Sequence, residues 1–318
     1  MTTEHSTVSP TAISSTAILD DSCALVGHTP TIRLPRLSAA AGAELFGKVE
    51  YLNPGGSIKD RIAVAMVEAA EKDGRLRPGM TLVEATAGNT GLGLAWVAAT
   101  RGYQFVSVMS ASDKGPKTDT MEAMGSECVL IPPGAPWDSD EGPVGIGARI
   151  AEERGGVFLN QFENPANPAA HETGTAREIL DTFGDSLDAV VVGVGTGGTV
   201  TGVGRGLKAV QPGIRIIGVS GEGSYLGSEL EGDRIAGITP DFPPDNLDLS
   251  VIDHLQTITG PVAAEATRRL NRTEGTSAGH SSGALLLAAE DEAKRNPGSK
   301  ILILLCDSVR NYPDLLGG

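Results

Sequence analysis

VVVGVGTGGTVTGVG, residues 190–204, is a run of β-branched residues that breaks into glycines and threonines and then resumes in residues a helix tolerates. The valines suit a strand buried on both faces. The glycines let the backbone turn and come close to a bound group, and the small hydroxyl residues suit a helix start whose free N–H groups attract an anion. The same pattern spreads in both directions. TLVEAT (81–86) precedes GLGLAWVAATRG, QFVSVMS (104–110) precedes KTDTMEAMG, ECVLIP (127–132) follows, and IRIIGVS (214–220) and KILILLCDS (300–308) complete the series. Strand-like runs about one helix apart imply parallel strands joined by right-handed crossovers. This is an α/β fold, whose ligands sit at the loops leaving the strand C-termini.

The 318 residues carry 40 acidic and 25 basic side chains, a formal charge of −15 that repels phosphate backbones and anionic bilayers, so no nucleic acid and no membrane is expected as a partner. A hydrophobic fraction of 40 % fills the core of one large or two medium domains. Cys23, Cys128 and Cys306 are an odd number, lack metal-like spacing and have apolar neighbours. That usage fits a reducing cytoplasm, with no metal centre. No run approaches the roughly 18 apolar residues of a membrane span. MTTEHSTVSPTAISST has neither the basic start nor the apolar core of a signal peptide, and residues 1–17 read as a disordered tail. IPPGAPWDSDEGPVG (131–145) reads as a surface loop, and a softer seam follows near GGVFLNQFENPANP.

Five segments carry the chemistry. In NPGGSIKDR (53–61), Pro54, Gly55 and Gly56 make a turn, Ser57 can cap a helix, and Lys59 falls in that helix's opening turn, where a solvated cation gains nothing. EATAGNTGLGLA (84–95) runs from strand through a turn of small polar groups into a helix, a cradle in which Thr86, Asn89 and Thr90 can hold a carboxylate. The 190–204 segment suits a small phosphate ligand. Gly193, Gly195 and Gly198 also satisfy the dinucleotide pattern GxGxxG, although the next strand ends at Ser220 where a ribose-binding acid is expected. In EGTSAGHSSGALLLAAEDEA (274–293), His280, Ser281 and Ser282 open an apolar helix without forming a GxSxG elbow, which favours a capping or packing role for His280. LLCDSVRNY (304–312) says little alone.

Taken in order, VGHTPTIRL (26–34), NPGGSIKDR, TAGNTG, NQFENPANPAAH (160–171), VGTGGTVTG, GHSSGA and LLCDSVRNY resemble the fold-type II pyridoxal-phosphate enzymes, specifically the cysteine synthase and cystathionine β-synthase family, over nearly the whole chain. The ending resembles the cystathionine β-synthase branch. The resemblance implies two three-layer α/β/α domains with mostly parallel sheets, as in a tryptophan synthase β chain, and pyridoxal 5'-phosphate in the cleft between them. Residues 48–163 would form the smaller, substrate-loop domain, and 18–47 with 164–318 the larger, phosphate-binding one. Lys59 would carry the cofactor and, once released, act as the base at Cα. Asn89 would meet the cofactor's ring oxygen, Gly195, Thr196, Gly197, Gly198 and Thr199 would cradle its phosphate, and Ser281 would face its pyridine nitrogen. Thr86, Ala87, Gly88, Thr90 and Gln161 would form the substrate site, with the carboxylate received by Thr86, Gly88, Thr90 and Gln161.

A hydroxyl at the ring nitrogen suits expulsion of a β leaving group better than transamination. The implied activity is β-replacement on an activated serine through an aminoacrylate, with sulfide or a thiol as nucleophile and L-cysteine as product. Cystathionine formation, cysteine desulfhydration and synthesis of another β-substituted alanine share those motifs. A homodimer is implied by the family alone, and neither a haem-binding extension nor a regulatory domain is expected. Two departures stand out. Ala87 occupies the place where many members have serine, so a donor near the reacting β-carbon is missing. HETGTAREI (171–179) lacks the family's Thr-Thr pair around Gly174, with Thr175 as a structural match. Both departures motivate a different class of reading, a cofactor-binding regulatory partner without turnover.

Overall fold

The computed structural model describes residues 18–19, 21–227 and 234–312. The expected tail, 1–17, lies outside the described residues. In chain order the strands are β1 (Thr31–Arg33), β2 (Glu44–Val49), β3 (Thr81–Ala85), β4 (Gln104–Ser110), β5 (Glu127–Ile131), β6 (Val157–Phe158), β7 (Ala189–Gly193), β8 (Arg215–Gly221), β9 (His254–Ile258) and β10 (Lys300–Leu305). The helices are α1 (Pro35–Ala41), α2 (Lys59–Lys72), α3 (Asn89–Arg101), α4 (Pro116–Ala123), α5 (Pro143–Glu153), α6 (Ala166–Ala170), α7 (Ala176–Phe183), α8 (Gly198–Val210), α9 (Gly260–Glu274) and α10 (His280–Arg295).

Two sheets form. One runs β1-β2-β10-β7-β8-β9 and the other β5-β4-β3-β6. Every pairing is parallel except β1 with β2. The apolar runs of the sequence become the central strands: Ile301–Leu305 of β10 and Val190–Val192 of β7 are fully buried because helices cover both faces of the sheet. Strands from both ends of the chain build the six-stranded sheet, and β2 extends through Val49, whereas the four-stranded sheet draws only on residues 81–158. Each has its own core. Leu45, Val191, Ile217, Leu285 and Ile303 belong to the first, and Ile62, Met66, Leu82, Leu94 and Phe105 to the second.

The first turn of α2 is anchored to the six-stranded body by charge. The Arg61 guanidinium donates to both Glu50 oxygens at 2.7 and 2.8 Å and to both Glu178 oxygens at 2.8 Å, while Lys48 Nζ lies 2.7 Å from Glu178 Oε2. Lys48 and Glu50 are completely covered, so each charge depends on the others, and the network fixes α2 at the point where Lys59 emerges.

Candidate active site

Lys59 is the first residue of α2, preceded by the NPGGS turn, with Ser57 Oγ accepting from its backbone N–H at 3.1 Å. The helix thus starts after Ile58, and Ser57 serves the turn before it. Lys59 Nζ has no hydrogen bond or ion pair among the described residues, and the side chain lines a deep pocket at the C-terminal ends of the strands. Burial pulls its ammonium below the usual lysine range, opposed by Cys306 and Asp307. An amine so placed has access to its neutral, nucleophilic state.

Gly195, Thr196, Gly197 and Thr199 line the same pocket at the start of α8. Gly197 has φ +81°, the left-handed region glycine favours, and a Cβ there would strike the Leu247 backbone at 2.7 Å. A Cβ on Gly195 would collide with the Gly237 carbonyl, and one on Gly198 with the Asn167 amide. The loop therefore lies flat against its neighbours, and the first N–H groups of α8 have no intrahelical partner. Gly198 does not line the pocket itself. Its role is to admit Asn167, whose Nδ2 donates to Thr196 Oγ1 at 3.0 Å and to the Gln161 carbonyl at 2.7 Å. His171 bridges Thr199 Oγ1 at 3.2 Å and Thr175 Oγ1 at 3.0 Å, and burial among cations, with Lys59 and Arg61 nearby, keeps its imidazole neutral.

Asn89 faces the pocket from the first residue of α3. Its Nδ2 donates to Asp307 Oδ2 at 2.7 Å and its Oδ1 accepts from Asn311 at 3.3 Å, so the amide is held from behind while one N–H stays available. Asp307 Oδ2 also accepts from Tyr312 OH at 2.5 Å. Burial raises the Asp307 carboxyl above the usual range, against the hydrogen bond from Tyr312 and the charge of Lys117. Ser281 and Cys306 complete the pocket, and burial pushes the Cys306 thiol up to about 12, leaving it protonated. His280, first residue of α10, bonds the Gly260 carbonyl at 3.1 Å and packs edge-on against Tyr312, the packing role its sequence context suggests.

Thr86, Ala87, Gly88, Thr90 and Gln161 line the adjoining wider cleft, with about 1590 Å³ of empty space including its mouth. Thr90 Oγ1 donates to Gln161 Oε1 at 2.6 Å and Gly88 N to Thr86 Oγ1 at 3.1 Å, which ties the Thr86–Thr90 loop to the chain just beyond β6. Sequence reasoning missed several wall residues. Trp137, within the stretch read as a surface loop, lines the cleft, as do Lys117, Tyr312 and the 234–242 segment. Tyr312 sat in a quoted motif without an assigned role, and the others carry no local signal.

A flat glycine loop on a helix start, a half-buried lysine without an ion-pair partner, a clamped amide and a hydroxyl lie around one pocket, a set of groups that could hold pyridoxal phosphate. Comparison with known proteins agrees. The family model described as pyridoxal-phosphate dependent enzyme matches residues 23–307. The cystathionine beta-synthase of Apis mellifera is 40 % identical over 307 residues, 93 % of this chain and 61 % of that protein, so the chain spans about three fifths of that relative's length. The cysteine synthase of Staphylococcus aureus is 39 % identical over 298 residues, covering 92 % of this chain and 95 % of that one. The crystal structure of O-ureido-L-serine synthase superposes with a TM-score of 0.89 at 38 % identity, over 95 % of this chain and 96 % of that one.

Proposed function

The chain belongs to the family of pyridoxal-phosphate dependent enzymes, and from that premise we propose that it catalyses β-replacement on an activated serine of the O-acetylserine type, with sulfide or a thiol as nucleophile and L-cysteine as product. One observation carries the reading: Lys59, Asn89 and the Thr86–Thr90 loop all face a single cleft whose inner end holds Ser281 and the glycine cradle. When bound, pyridoxal phosphate supplies the electron sink for bond breaking at Cα and Cβ. The protein's own groups do the rest. The loop N–H groups with Thr86, Thr90 and Gln161 bind the substrate carboxylate and fix the amino acid's orientation. Lys59 removes and returns the Cα proton. Ser281 offers a neutral hydroxyl to the ring nitrogen, which favours prompt loss of a β leaving group. The Phe162 and Phe242 rings, 4.9 Å apart, help keep water from the cleft.

Ala87 gives the second reading its ground. With no hydroxyl at that position, the leaving group and nucleophile are less constrained, and the likeness to O-ureido-L-serine synthase favours an oxygen nucleophile giving another β-substituted alanine. Cystathionine formation and cysteine desulfhydration are the other members of this set, and a regulatory partner without turnover is the reading from outside it. The visible spectrum of the cofactor-loaded protein decides among them. Adding O-acetyl-L-serine is expected to shift the spectrum, and adding sulfide to restore it with release of cysteine. A spectrum unmoved by O-acetylserine, O-phosphoserine, serine and cysteine would leave the regulatory reading standing. A homodimer in a reducing cytoplasm completes the proposal, and sedimentation at a mass near 65 kDa checks the dimer, given the 32.7 kDa chain.

A further inference from the structure

Lys117 is the second residue of α4 and lines the cleft together with Lys59 and Tyr312. Among the described residues its ammonium meets only Tyr312, the hydroxyl at 3.5 Å and the ring face at 4.5 Å, with no carboxylate at ion-pair distance. The other cleft cation outside the cofactor pocket, Arg234, is neutralised by both oxygens of Asp241 at 2.6 and 3.1 Å. Lys117 is half-buried, and burial lowers its pKa against the opposing charge of Asp307. An ammonium over an aromatic ring face is attracted by it, but the ring carries no compensating charge, so the positive charge of Lys117 remains available to an anion entering the cleft.

Two anion sites in this region already have occupants in the reading above: the 195–199 cradle takes the cofactor phosphate and the Thr86–Thr90 loop takes the substrate α-carboxylate. We infer that Lys117, backed by Tyr312, forms a third anion subsite, for the small anion that leaves or attacks the substrate β-carbon. The inference rests on the proposed β-replacement and names the charge class of its exchanging group. In that reaction the Cβ–O bond breaks with its electron pair leaving on a carboxylate or phosphate, while the Cα proton passes to Lys59. The Cβ–S bond then forms from the electron pair of hydrosulfide, and the proton returns to Cα. Both exchanging species are anions, and a compact ammonium suits either.

The test is calorimetric titration of the cofactor-loaded protein with acetate, phosphate and hydrosulfide, so that the phosphate cradle is already filled, in wild type, Lys117→Met, Lys117→Gln and Lys117→Arg. The neutral variants are expected to lose roughly ten- to a hundredfold in anion affinity, and Lys117→Arg to recover most of it. L-serine affinity and the cofactor's visible spectrum should stay as in wild type. Loss confined to acetate and phosphate identifies the leaving group as the occupant, and loss confined to hydrosulfide the nucleophile. Unchanged anion affinity in both neutral variants overturns the inference, as does an equal loss of L-serine affinity or a loaded wild type that binds none of the anions. Failure of wild type to take up pyridoxal phosphate, read from its spectrum beforehand, overturns the underlying reading instead.

Discussion

Whether a lysine serves as nucleophile and base depends on how much of it is neutral, and Lys59 gains neutrality from burial without a carboxylate partner. Lys59→Ala is therefore expected to lower turnover by at least about 10³-fold while leaving the melting temperature near wild type, checked by steady-state assay and thermal melt. The glycine loop works by what it lacks. In Gly198→Ala the new methyl group would push Asn167 away from Thr196, so cofactor affinity should fall roughly ten- to a hundredfold, measured by titration of the apoprotein. Asp307 acts through another residue. Losing the carboxylate in Asp307→Ala frees the Asn89 amide, and the expected result is a shifted cofactor absorbance maximum in a protein that still binds L-serine.

Between elements, the bond that matters most joins α2 to β2 and α7 through Arg61, Lys48, Glu50 and Glu178. Burial opposes ionisation of Glu178, but the Arg61 hydrogen bonds and charge, with Lys48, outweigh it and hold the carboxyl at about 2 against an ordinary 4.5. A depressed carboxyl stabilises the fold fully above the unfolded value and loses that contribution as pH falls from 4.5 towards 2. Glu178→Gln should thus cost about 3 kcal/mol at pH 7, and the gap to wild type should close below pH 4.5 by at most about 1.4 kcal/mol per pH unit, followed by denaturant melts at several pH values. A gap that stays constant to pH 3 would refute this account of the network. The strands β3, β4, β5, β7, β8 and β10 were legible in the sequence because each carries a run of β-branched and other apolar residues, mostly apolar where parallel strands are covered on both faces. β1, β6 and β9 were not, being three residues long, two residues long and half-polar, and β2 hid behind the glutamate and lysine of ELFGKV.

On the scale of the whole molecule, the site exists because two sheets place their strand ends against one cleft, so that residues 59, 89, 196 and 281 meet although the chain separates them by up to 222 positions. The local motifs that line the pocket could be read from the chain, because small and glycine residues in a turn before a helix are a local pattern. The supports could not. Asn167, His171 and Asp307 act by reaching across elements, and Trp137 reaches the cleft from a loop whose composition is that of any surface connection. The measurement that bears most directly on the account is borohydride reduction of the cofactor-loaded protein followed by peptide mass mapping. The account predicts that the phosphopyridoxyl group is fixed on the peptide containing Lys59, and its appearance on another lysine, or on none, would contradict it.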